Sequence, residues 1–213
     1  MIILPSLASA DQLHLAEEIE RIRKIGRLHL DIEDGNFIDN ITFGKKTISA
    51  VASVFDGILD AHLMTTNPDA YLGWLAELGV SSVCAHIEAM PYPMHFLRHA
   101  KALGMGAGLA INMKALPEEL LPYVSDTDYV LVMTSEPDYG SQDFFDCAFE
   151  RVEKIRSILP ERIALWCDGG VRPEYLTTLS SAGVSAVVMG RAIFGADDPS
   201  LAVAEYLKRS AVY

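Results

Sequence analysis

Short apolar runs alternate with longer amphipathic stretches along the whole chain, a rhythm that predicts strands and helices in succession. The apolar runs predict strands at 2–7, 28–32, 57–64, 82–86, 106–111, 129–133, 163–167 and 186–189. Between them, helical periodicity predicts a helix from an N-cap at Asp11 to about Lys24, then helices over 46–54 and from Asn67-Pro68 to Gly79. Further helices are expected from Pro93 to near Gly104 and over 117–123, 144–159, 173–182, 191–194 and 199–208. Eight strands separated by helices favour a closed parallel (β/α)8 TIM barrel over an open doubly wound sheet. Continuously hydrophobic strands fit a sheet covered on both faces. No glycine-rich dinucleotide fingerprint follows the first strand, which weakens the open-sheet alternative. Residues 1–213 read as one barrel domain, without a linker or low-complexity tract.

In a parallel barrel the chemistry sits at the C-terminal ends of the strands. Ser6, His29, Asp31, His62, Met64, His86, Met133 and Asp168 all fall at or near such ends. His29 and Asp31 stand two apart in an extended run, so both side chains look into the same space. A nitrogen and a carboxylate oxygen converging there make half of a divalent-metal site, and His62 and Asp168 can complete a His2Asp2 set. Each of these has a plainer reading: a lone buried histidine is more often structural, and Asp168 before Gly169-Gly170 is also a turn residue. The coincidence of four on the correct ends favours ligation. His86 is read as a hydrogen-bonded core histidine that can also face the pocket. Met64 and Met133 serve as core filling or as pocket walls. Asp34 either caps the loop at Gly35 or meets a ligand.

Composition narrows the partners. Half the residues are hydrophobic and 22% are charged, a globular balance. A net charge of −12 repels nucleic-acid phosphates, so a nucleic-acid role is not expected. No apolar run approaches the roughly 18–20 residues of a membrane span. The Ala-Ser-Ala near the N-terminus lacks the basic and apolar regions of a signal peptide and reads as part of the first strand. Three unpaired cysteines point to a reducing, cytoplasmic setting. A small phosphorylated ligand remains compatible with the acidic chain, because backbone N–H groups at helix starts and one local cation can hold it.

The chain resembles the ribulose-phosphate 3-epimerases. The likeness is carried by Pro5-Ser6-Leu7, His29-Leu30-Asp31 with Asp34-Gly35 and Phe37, and Ile41-Thr42-Phe43-Gly44. It continues through Asp60-Ala61-His62-Leu63-Met64, Asn67-Pro68, Val132-Met133-Thr134, Glu136-Pro137, Asp168-Gly169-Gly170-Val171 and Gly190 with Ala192-Ile193-Phe194. It implies a ribulose-phosphate-binding barrel with one divalent metal, commonly zinc, on residues matching His29, Asp31, His62 and Asp168. Iron, manganese and cobalt suit the same N/O donors, and no organic cofactor is implied. Asp31 and Asp168 would be acid and base on opposite faces of C3, working through a cis-enediolate. The substrate would be a phosphorylated ketopentose or ketohexose of carbohydrate metabolism, and the assembly a homo-oligomer.

Phosphate would be held by the loops after strands six to eight, through Gly140, Ser141, Gly169, Gly170, Gly190 and Arg191. Here the chain departs from the family pattern. Asp138 and Ser141 replace glycines, Arg191 replaces a serine, and Glu33 replaces a methionine of the pocket wall. Gly190-Arg191 is similar to the phosphate clamp of orotidine-phosphate decarboxylases, so Arg191 is expected to grip phosphate with its planar fork. Glu33 and Asp138 set this chain apart as a divergent branch. Two other functions stay open: a decarboxylase or lyase on the same barrel, and a non-catalytic sugar-phosphate binding protein. Against the first, Glu33 stands where the decarboxylase lysine would be.

Overall fold

The computed structural model describes residues 1–136 and 142–210. Eight parallel strands form one sheet: β1 (Ile2–Pro5), β2 (Arg27–Glu33), β3 (Ile58–Met64), β4 (Ser82–His86), β5 (Gly106–Ile111), β6 (Tyr129–Met133), β7 (Ala164–Asp168) and β8 (Ala186–Met189). The spatial order β1-β8-β7-β6-β5-β4-β3-β2 is sequential around a ring. A parallel bridge between Ser6 and His29 brings β1 back to β2, so the sheet is a nearly closed barrel. The helices outside are α1 (Leu15–Ile22), α2 (Lys45–Val54), α3 (Leu72–Glu77), α4 (Pro93–Ala102), α5 (Ala148–Ile158), α6 (Leu176–Ser181), α7 (Arg191–Phe194) and α8 (Pro199–Ser210). None of the described helices is long and apolar enough to cross a membrane.

Strand and helix positions follow the hydrophobic pattern, with differences at helix starts and at the end of β1. There Leu7–Ser9 turns as a 3-10 helix instead of extending the first strand through Ala8-Ser9-Ala10. Asp11 accepts the Leu13 N–H and pairs with the His14 ring, so it shapes the preceding turn while α1 begins at Leu15. Proline opens 3-10 turns at Pro68–Tyr71 and Pro173–Tyr175 before α3 and α6 take over. The segment Pro117–Tyr123 is 3-10 throughout and carries Pro122, which removes an N–H donor. The helix expected from Phe144 begins at Ala148.

Side chains alternate between two cores. Leu30, Leu63, Leu109, Val132 and Leu165 point outward and are buried beneath the helices. Leu4, Cys84, Ala110, Tyr129, Leu131, Ala186 and Val188 point inward and fill the barrel. Tyr129 and Trp166 stack there with ring centroids 4.1 Å apart. Polar side chains occupy the same inward parity nearer the C-terminal rim, chiefly on β2 and β3. The strands are therefore continuously buried but not continuously apolar.

Gly108 makes room for Tyr129, since a Cβ there would lie 2.4 Å from the ring Cζ. Gly108→Ala is expected to lower stability by about 1–3 kcal/mol through overpacking. Adding Tyr129→Leu should recover part of the loss in urea unfolding. Strictly additive losses would show that the ring is not the obstacle.

Candidate active site

Period-two geometry on β2 sends His29, Asp31 and Glu33 into the barrel, and on β3 it sends Asp60, His62 and Met64. The register pairs His29 with Asp60 and Asp31 with His62. Asp168 ends β7, three strands around the ring from β2. One donor atom from each of His29, Asp31, His62 and Asp168 lies within 4.8 Å of the others. His29 Nε2 is 3.3 Å from Asp31 Oδ1, and His62 Nδ1 is 3.3 Å from Asp168 Oδ2. His62 Nδ1 to Asp31 Oδ1 measures 3.5 Å, and His29 Nε2 to Asp168 Oδ2 measures 3.9 Å. Donors bound about 2.0–2.1 Å from a tetrahedral ion would stand about 3.3–3.4 Å apart.

The chemistry of the set fits a divalent ion too. Two carboxylates balance two positive charges, and two neutral imidazoles complete the coordination. His29 Nε2 and Asp31 Oδ1 are buried without a hydrogen-bond partner among the described residues, as atoms reserved for a ligand would be. Burial opposes charge on His29, yet the facing Asp60 and Asp31 carboxylates outweigh it and raise its pKa well above the usual imidazole range. Burial likewise disfavours a charged His62, and the facing Asp168 and Asp31 carboxylates raise its pKa. Burial works against the Asp31 carboxylate, but His29 and His62 hold its pKa below the ordinary value. These carboxylates thus attract positive charge into the cluster, and a bound cation would displace the protons.

Neighbouring groups orient the set. Asp60 pairs with His29 Nδ1, leaving Nε2 to face the cluster. The ring nitrogens His62 Nε2 and His86 Nε2 are 2.8 Å apart, and His86 Nδ1 lies 3.5 Å from Glu88 Oε2. Glu88 in turn accepts the Asn112 N–H at 2.8 Å. Burial lowers the His86 pKa to about 4, with Glu88 opposing the shift. A neutral His86 has one acceptor nitrogen, which suits a proton donated from His62 Nε2. Ser6 donates to Asp31 Oδ2 at 2.5 Å, fixing the carboxylate that begins the cavity wall.

Above the cluster opens a cavity of about 470 Å³. Ser6, Asp31, Glu33, Met64, His86, Met133, Asp168, Gly169, Gly170, Gly190 and Arg191 all line it, whereas His29 and His62 are buried around the cluster and outside this lining. Glu33 is therefore a pocket residue; burial, reinforced by Asp31, pushes its pKa up to about 7 against the Asn40 hydrogen bond. Asp34 instead caps the loop: it accepts the Asn36, Phe37 and Thr66 N–H groups, which outweigh burial and lower its pKa to about 2. Gly140, Ser141 and Asp138 lie outside the described residues. His14, His95 and His99 are on or beside helices, with aspartate partners.

The rim after β7 requires its two glycines. Gly169 and Gly170 have φ of 107° and 66°, and added Cβ atoms would come within 2.3 Å of Ser135 Oγ and 2.4 Å of Gln142 O. Thr134 holds this turn from below, its hydroxyl donating to Asp168 O at 2.9 Å and Gly169 O at 2.5 Å. Arg191 Nη2 donates to Gln142 O at 3.2 Å, and Arg172 Nη2 pairs with Asp143 at 3.2 Å. Arg172 and Glu88 were not among the expected site residues, and Asp60 entered only within the Asp60-Ala61-His62 motif. Only Asp60 carried a usable signal, being two residues before His62 on the same inward face.

Taken as architecture, this is a (β/α)8 enzyme barrel with its polar centre at the C-terminal rim. The chain belongs to the ribulose-phosphate 3 epimerase family, whose family model matches residues 2–194. It is an isomerase of the sugar-phosphate epimerase kind. It is 34% identical over 213 residues to the ribulose-phosphate 3-epimerase of Mycobacterium bovis, covering 99% of this chain and 93% of that one. It is 36% identical over 203 residues to the cytoplasmic isoform from Oryza sativa subsp. japonica, covering 92% and 89%. The crystal structure of orotidine 5'-phosphate decarboxylase from Pyrococcus horikoshii OT3 shares the fold, with a TM-score of 0.69 at 15% identity and full coverage of both chains.

Asp60→Ala should weaken the affinity for an added divalent ion, with zinc as the probe, by about 10–100-fold, because His29 loses the group that orients its ring. Competition with a chromogenic chelator reads this directly. Asp60→Asn, which keeps an acceptor, should lose less; an Asp60→Ala protein with unchanged affinity would remove Asp60 from that role.

Proposed function

We propose that the chain is a metal-dependent 3-epimerase of a ketose phosphate, with ribulose 5-phosphate and xylulose 5-phosphate as the leading pair. The observation that carries this reading is the position of Asp31 and Asp168. They approach one cavity from β2 and β7, three strands apart, and share the same pair of histidines. Inverting a carbon beside a ketone requires a proton to leave one face and another to arrive on the opposite face. Two carboxylates on opposing walls, one ionised and one protonated, perform that exchange and reset by changing roles.

His29, Asp31, His62 and Asp168 would hold the ion, with zinc best suited to the tetrahedral spacing and iron, manganese or cobalt compatible with the donors. When bound, it would supply electrostatic stabilisation for the negative charge that develops on the sugar oxygens. Ser6 holds the outer oxygen of Asp31, so its proton transfer occurs from a fixed position. Met64 and Met133 give the cavity apolar walls that limit water around the reacting carbon. The backbone of Gly169, Gly170 and Gly190, together with Arg191, would receive the phosphate, placing the sugar chain between the rim and the cluster.

The test is deuterium entry at C3 when metal-replete protein meets ribulose 5-phosphate in deuterated water, followed by NMR. Incorporation with both epimers appearing and no loss of carbon is expected; decarboxylation or a static spectrum would overturn the reading. Asp168→Asn should reduce exchange at least about 10³-fold, and turnover near the wild-type rate would refute the two-carboxylate scheme. Arg191→Ser should raise KM for the phosphorylated sugar about 10–100-fold, the equivalent of losing a charged hydrogen bond. Parallel kinetics with free ribulose provide the control, because an equal effect on both sugars would take Arg191 out of phosphate recognition.

A further inference from the structure

Glu33 is a carboxylate of the cavity wall beside Asp31 that the two-face proton exchange leaves without a task. It ends β2 two residues beyond Asp31, faces the barrel and is only 7% exposed. Asn40 Nδ2 donates to its Oε2 at 2.6 Å, which fixes the plane of the carboxylate. Oε1 has no hydrogen-bond donor among the described residues. Its neighbour in the register on β3 is Met64, which supplies no strong donor. A carboxylate oxygen in a ligand cavity is costly to desolvate unless the ligand brings a donor.

The orientation of the sugar identifies that donor. This step rests on the proposed reading, in which the phosphate sits at the rim of β7 and β8 and C3 lies between Asp31 and Asp168. The part of the ketose beyond C3 is then the carbonyl carbon and the terminal hydroxymethyl group. That end points away from the phosphate rim, toward the β2–β3 wall where Glu33 stands.

We propose that Glu33 is a specificity-determining residue whose Oε1 accepts a hydrogen bond from the C1 hydroxyl of the substrate. The site therefore selects ketose phosphates with a free hydroxymethyl terminus and rejects 1-deoxy sugars, which cover that oxygen without supplying a donor. The same carboxylate, beside Asp31, repels a second anionic group and excludes 1,5-bisphosphates.

The experiment compares C3 deuterium exchange for xylulose 5-phosphate and 1-deoxyxylulose 5-phosphate with metal-loaded wild-type, Glu33→Gln and Glu33→Met proteins. Wild type should favour the parent sugar by at least about 100-fold in kcat/KM. Glu33→Met should shrink that ratio to below about 10-fold, chiefly by losing rate on the parent, and Glu33→Gln should fall between them. Chelator competition should show that each variant binds zinc as wild type does, separating sugar selection from damage to the cluster. A ratio unchanged in both variants, with exchange still measurable, overturns the role of Glu33 and leaves the epimerase reading intact. No exchange of either sugar by wild type overturns both.

Discussion

The arrangement depends on the cost of placing Asp31 and Asp168 in the mouth of a packed barrel. Carboxylates there are far from bulk water on one side and face each other across a small cavity, so they are tolerable only when positive charge lies between them. His29 and His62 supply it as protons, and a divalent ion would supply it better. Burial, the facing donors and the unpaired atoms at the cluster all express this single requirement. The apolar fill below, with Leu131, Val188 and the Tyr129–Trp166 stack, keeps solvent from offering a cheaper solution.

From that constraint the next layer follows. A histidine turned toward a cation must present a chosen nitrogen, so the other nitrogen needs its own partner. Asp60 serves His29, and the sequence of His86, Glu88 and the Asn112 N–H serves His62. Asp60 and Glu88 lie outside the cavity lining, while His86 and Asn112 also border it. They make the geometry of the cluster rigid before substrate arrives, which is where preorganised electrostatics acts.

Much of this was legible along the chain because period-two alternation assigns side chains to faces without knowledge of the fold. His29, Asp31 and Glu33 share a face by arithmetic, and the Asp-Gly and Gly-Gly stops mark strand ends. What sits opposite them is a matter of register, which no single strand specifies. The pairing of His29 with Asp60, and of His62 with His86, emerges only when β2, β3 and β4 lie side by side. Arg172 reaches the cavity through the path of a loop, which carries no periodicity. Helix starts were blurred for a similar reason: Asp11 satisfies turn donors just as well as helix donors, so its chemistry does not say which it has joined.

One consequence concerns the seam of the barrel. β1 and β2 meet through the bridge between Ser6 and His29, a thinner junction than the paired registers joining the other neighbouring strands. Ser6 also holds Asp31, and His29 belongs to the cluster, so the ring is fastened where its chemistry takes place. A ligand that draws these residues together acts as a clasp on the whole cylinder, and its binding energy adds to the energy needed to spring the ring open. Occupancy of the site and the mechanical soundness of the barrel are, at this joint, the same equilibrium.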